Sequence, residues 1–150
     1  MEKSTKLYNV FFPVWFLLMI PQTWIAVFPV NFLVDSLVLF LLMRKLQVEE
    51  KGLFYKKHIM PIFLFGLLAD MIGAAALLLA TALELGITGE DWYLTAPAVA
   101  LAGLCIYVLH YYVIFRKEDR FVRRKMAFTF AIATAPYTFL IPIAWLYGWN

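Results

Sequence analysis

Charge is scarce in this chain: 15% of its 150 residues are Asp, Glu, Lys or Arg, against about a quarter in a soluble domain. Hydrophobic residues supply 64%, so water is the wrong solvent for the folded molecule. Cys105 is the single cysteine, which excludes an internal disulfide and a CxxC redox pair. A serine nucleophile elbow, a zinc-binding histidine pair and a phosphate-cradling glycine loop are all missing. Intramembrane aspartyl proteases pair two acids across helices, but the stretch Leu68-Ala69-Asp70-Met71 lacks their glycine-x-glycine-aspartate pattern. No cofactor is expected, and the leading expectation is no enzyme activity, with an enzyme acting on lipid or peptide within the membrane ranked third. No repeat, low-complexity stretch or soluble domain stands out, so residues 1–150 are expected to form one integral membrane domain.

What the chain does have is long apolar runs. Residues 61–83, 92–115 and 126–145 are each long enough to cross a hydrocarbon core of about 30 Å, and none contains Lys or Arg. The first apolar stretch, residues 8–43, would be a helix of about 54 Å, too long for one crossing. Pro13, Pro21 and Pro29 punctuate it, and Pro21-Gln22-Thr23 combines a helix break with polar side chains. A short re-entrant or interfacial helix is therefore expected over 8–20 and a full span over 24–43. Lys3 and Lys6 ahead of an apolar run have the charge order of a secretory leader, but no small-x-small cleavage site follows. The expected fold class is all-α: a polytopic transmembrane helical bundle of about four spans, preceded by that Pro-broken segment.

The 13 basic residues set the orientation. Two lie near the N-terminus, five between positions 44 and 57, and six between 116 and 125. The connection between the second and third spans carries Glu84, Glu90 and Asp91 instead. By the positive-inside rule, loops 44–60 and 116–125 are expected on the cytoplasmic side of an inner or plasma membrane, with the C-terminus outside. Trp24, Trp92, Tyr93, Trp145, Tyr147 and Trp149 fall at the predicted outer ends, as interfacial anchors do. The 44–60 connection mixes apolar and basic residues and can be read either as a segment lying on the anionic leaflet or as a solvated loop. The basic residues lack an aromatic-interleaved soluble platform, so no nucleic-acid partner is expected. The expected partners are the lipid bilayer and either further copies of the chain or another membrane protein.

Two of the ten acidic residues, Asp35 and Asp70, lie deep inside apolar segments. A charge at mid-bilayer costs about 2.5 to 3.5 kcal/mol on the insertion scale, so both should face protein or water. Asp35 is nine residues before Arg44 and Asp70 nine after Pro61, which places both about 13 Å from the basic end. The same ruler applied to the other basic loop picks out Tyr107 and Thr134. Asn31 is one turn from Asp35 on the same face, and His110, one turn shallower than Tyr107, is a candidate proton relay because an unperturbed imidazole titrates near neutrality. The candidate ion- or substrate-binding set is Asn31, Asp35, Asp70, Tyr107, His110 and Thr134. With no cation in any span, the two acids are expected to be protonated, to share a proton, to bind a cation, or to meet a partner's Lys or Arg.

These features point to a small channel or secondary transporter handling protons, cations or a cationic solute. An oligomer is expected, with the small residues of 66–80 as contact surface. The competing expectation is a non-catalytic membrane subunit or assembly factor whose buried acids pair with a partner. A purely structural reading, in which the two acids bond helices together through Tyr107 and Thr134, stands beside both.

Overall fold

A computed structural model describes residues 21–83 and 92–140. The expected helix over 8–20, the acidic connection and the C-terminal aromatic cluster lie outside them. Among the described residues every regular element is helical. Three helical stretches, Pro21–Lys45, Lys51–Ala80 and Thr95–Ile114, are long and apolar enough to cross a membrane. On that ground the chain is an integral membrane protein, all-helical in class over the described residues.

Helix α1 spans Trp24–Lys45, after a 3-10 turn at Pro21–Thr23, and agrees with the expected span to within two residues. Arg44 and Lys45 sit in its last turn, where they complement the negative end of the helix dipole. The chain then reverses within five residues. Gln47 N–H donates to the Arg44 carbonyl and Val48 N–H to the Met43 carbonyl, a Schellman closure with Gln47 in the left-handed region at φ 50°. Glu50, at φ 49°, accepts from the amides of Leu53 and Phe54 and so starts the next helix. Most of the expected 44–60 loop is therefore helix, because Lys51 through Met60 form the first turns of α2.

Helix α2 spans Lys51–Ala82; its 32 residues make about 48 Å of helix, so its basic end extends past a bilayer core. Helix α3 covers Trp92–Leu109 and runs into a π-helical turn, His110–Ile114, closed by Phe115 N–H donating to the His110 carbonyl at 2.9 Å. Helix α4 is Arg120–Ala133. Asp119 caps it, its carboxylate accepting the Phe121 amide at 2.9 Å.

The expected continuous helix over 126–145 differs from what is found: α4 begins six residues earlier and stops at Ala133, followed by a 3-10 turn at Tyr137–Leu140. Pro136 is the reason. It has no N–H for the Ile132 carbonyl four residues back, and it disfavours helical dihedrals at Ala135. The Tyr137 hydroxyl takes over the missing donor's role and bonds the Ile132 carbonyl.

The helices pack in chain order, α1 on α2, α2 on α3 and α3 on α4, and α1 also meets α4. At the basic end the core is aromatic: Phe54, His58, His110, Phe115 and Phe130 stack in one cluster, with His58 4.1 Å from Phe54 and His110 5.0 Å from Phe130, centroid to centroid. Toward the other end α2 and α3 come close through small residues. A Cβ on Gly73 would lie 3.2 Å from the Ala102 Cβ and 3.3 Å from the Ala98 carbonyl oxygen. Part of the small-residue face expected to join copies of the chain is thus used internally: Ala69, Gly73 and Ala74 are buried, while Ala75 is exposed.

Gly73→Leu should lower stability by more than the ~1–3 kcal/mol typical of overpacking, read as the thermal midpoint in detergent. Gln47→Gly should raise it by about 0.5–1 kcal/mol, because glycine adopts the left-handed closing position without the Cβ penalty.

Candidate functional site

A cavity of about 450 Å³ opens between α1, α2 and the irregular segment that follows α4. Val27, Asn31 and Asp35, spaced four residues apart, bring one ridge of α1 to it; Gly66 and Asp70 bring one ridge of α2. The third wall is formed by Ala133 to Phe139, available because Pro136 ends the helix there.

Gly66 is what lets the acids share the space. A Cβ at that position would stand 3.6 Å from Asp35 Oδ2, so the Asp35 carboxylate crosses from α1 to lie over α2, one turn from Asp70. Both are buried, Asp35 to 5% exposure and Asp70 to 9%. Asp70 Oδ1 has no hydrogen-bond partner. Among the described residues the Lys–carboxylate ion pair joins Lys57 to Glu118, at the basic end, and involves neither buried aspartate. Two acids in one low-dielectric space with no cation beside them are an arrangement that a proton or a bound cation relieves. The described residues contain no group of three or more His, Cys, Asp or Glu suited to hold a metal ion.

Four of the six residues singled out from the sequence, Asn31, Asp35, Asp70 and Thr134, line this cavity. Thr134 caps the end of α4, and its hydroxyl donates to the Phe130 carbonyl at 2.9 Å. Tyr107 and His110 do not line it. Tyr107 stacks on Tyr111, whose ring also carries the Arg123 guanidinium, 4.3 Å from its centroid. His110 is buried in the aromatic cluster, with Nδ1 bonded to the Ile106 carbonyl at 2.8 Å. Equal depth does not fix the direction around a helix: the buried ridge of α3 is Ala98, Ala102, Ile106 and His110, and Tyr107 lies a sixth or more of a turn away from it.

Sequence reasoning missed Gly66 as the gap that admits a carboxylate, and the segment from Ala135 to Phe139 as a wall. Pro136 was the available signal for the wall. The chain matches no protein-family model, no curated protein and no solved structure. Its class is therefore set by its own helices and its site by its own side chains.

Because Asp70 Oδ1 bonds to nothing, Asp70→Asn should leave the thermal midpoint in detergent at neutral pH unchanged or higher. Tyr137→Phe, which strips the Ile132 carbonyl of its donor, should cost about 1 kcal/mol. An Asp70→Asn loss as large as that of Tyr137→Phe would show the carboxylate to be structural glue.

Proposed function

We propose that this protein is a small membrane channel or secondary transporter whose cargo is a proton or an organic cation, bound at Asp35 and Asp70. The observation that carries the reading is a pair of buried carboxylates lining one cavity without a compensating cation. A buried uncompensated charge is expensive, so such a pair is retained where its charge state changes or a cation comes and goes.

The lining favours a proton or an organic cation over a dehydrated metal ion. Calcium takes six to eight oxygen ligands and magnesium a near-ideal octahedron. Here Asn31, Asp35, Asp70, Thr134, Tyr137 and Thr138 supply the polar groups, with two carboxylates among them, and Val27, Val30, Val34, Leu67 and Phe139 make much of the remaining wall apolar. A volume near 450 Å³ is within the range of about 300–1,000 Å³ common to small-molecule sites.

In this reading the basic turns after α1 and after the π-helical turn face the cytoplasm. A fourth crossing is made by α4 together with the residues after Pro136. Val30 and Val34 leave the α1 side of the cavity exposed, and a second copy of the chain closes it.

A non-catalytic subunit is the second reading, favoured by the same missing cation: a partner's Lys or Arg would enter the cavity and pair with the acids.

Reconstituted in liposomes at matched incorporation, the wild-type chain should carry proton or organic-cation flux, and Asp35→Asn and Asp70→Asn should each reduce it by about tenfold or more while the fold is kept. Gly66→Phe, which fills the space over Asp35, should block it as well. An inactive wild type that is stable only with a co-expressed partner would replace transport with the subunit reading.

A further inference from the structure

We infer that the basic end of the bundle holds a second site, a seat for the headgroup of an anionic phospholipid between α2 and the π-helical end of α3. A pocket of about 270 Å³ is found there, and Lys57, Arg116 and Lys117 stand around it. Its remaining wall is apolar and includes Phe65 and Val113, with buried His58 at its back.

The three cations come from two segments that only the fold unites. Lys57 is on the second turn of α2, and Arg116 and Lys117 follow the π-helical turn. Lys57 Nζ bonds Glu118 Oε1 at 2.9 Å, and this pair ties the two segments together across 61 residues. Counting +3 for Lys57, Arg116 and Lys117 and −1 for Glu118 leaves +2 at the pocket. All three cations are exposed, so each has donors to spare for a phosphate.

A lipid, as opposed to a soluble phosphate, is selected by what lies below. Pro61, Leu64 and Leu68 follow Lys57 at helical spacing, and Leu64 and Leu68 are 57% and 44% exposed. From Lys57 to Leu68 this stripe descends about 16 Å, the reach of much of an acyl chain. Val113, 48% exposed, borders the pocket from α3. Positive charge at the rim above an apolar stripe along one helix is complementary to a phosphate above hydrocarbon.

His58 adds a polar group of defined character. Its Nδ1 is 2.9 Å from the Phe54 carbonyl, which makes Nδ1 the protonated nitrogen and Nε2 an acceptor. Nε2 lies 3.4 Å from Glu118 Oε1 yet has no hydrogen-bond partner, since two acceptors face each other there. Nε2 is covered by the protein, so a headgroup meets the exposed Lys57, Arg116 and Lys117 and not the imidazole; phosphatidylglycerol, whose phosphate is its one charge, is the probe.

The test is native mass spectrometry of the purified full chain after exchange into mixed micelles with equal phosphatidylglycerol and phosphatidylcholine. One phosphatidylglycerol should be retained per chain in preference to phosphatidylcholine. Each interfacial cation contributes about a fivefold factor in affinity, so Arg116→Gln with Lys117→Gln should lower retention about thirtyfold. Arg124→Gln with Lys125→Gln removes the same charge from outside the pocket and should leave retention unchanged. Equal loss in both double variants, or equal retention of the two lipids, would reduce the site to unspecific surface charge and overturn it. Displacement of the bound lipid by inorganic phosphate alone would overturn the lipid as occupant. A double variant that keeps the wild-type thermal midpoint and still retains the lipid would overturn the assignment of Arg116 and Lys117.

Discussion

A backbone carbonyl that loses its helical donor must find another partner, and around Pro136 the chain supplies one each time. The Ile132 carbonyl is served by the Tyr137 hydroxyl, the Phe130 carbonyl by the Thr134 amide and hydroxyl, and the Pro136 carbonyl by the Phe139 amide. Satisfied in this way, the irregular segment can pack on α3 and face α1 and α2 across the cavity instead of continuing as a rod. Its departure from the helix leaves the space into which Asp35 and Asp70 point. The cavity and the two acids are therefore one feature: a straight fourth helix would present a different surface to both.

The bundle has two ends of opposite chemistry. At the basic end, aromatic rings and two histidines are stacked into a dense core, and each imidazole is tethered to the carbonyl four residues before it. That tether holds both rings as packing elements. Toward the opposite end the contacts are between small side chains, where Gly73, Ala98 and Ala102 let two backbones approach. Bulk at one end and closeness at the other orient α2 and α3, while Gly66 leaves the gap between α1 and α2 where a carboxylate fits. A dense core beside the cavity suits the proposed exchange of a proton or a small cation, since the walls then keep their positions as the charge changes.

The lipid seat and the acidic cavity are on different faces and share no lining residue. They are linked through α2, which carries Lys57 at one end and Asp70 near its middle. A headgroup held at the first would anchor the tilt of the helix that carries the second.

The apolar runs, their lengths and the sign of the flanking charges were legible in the sequence, because hydrocarbon imposes length and polarity on any chain that enters it. That Asp35 and Asp70 fall at one level along α1 and α2 was legible for the same reason: rise per residue is a fixed number. Direction around each helix was not. That is decided by which side chains interlock, so Tyr107, at the predicted depth, faces away from the cavity, while Asn31 and Thr134 face it. Nor could the sequence show that Lys57 meets Glu118, or that residues 51–60 extend α2. Local composition states what each segment can bury; tertiary packing alone decides what each buried group is buried against.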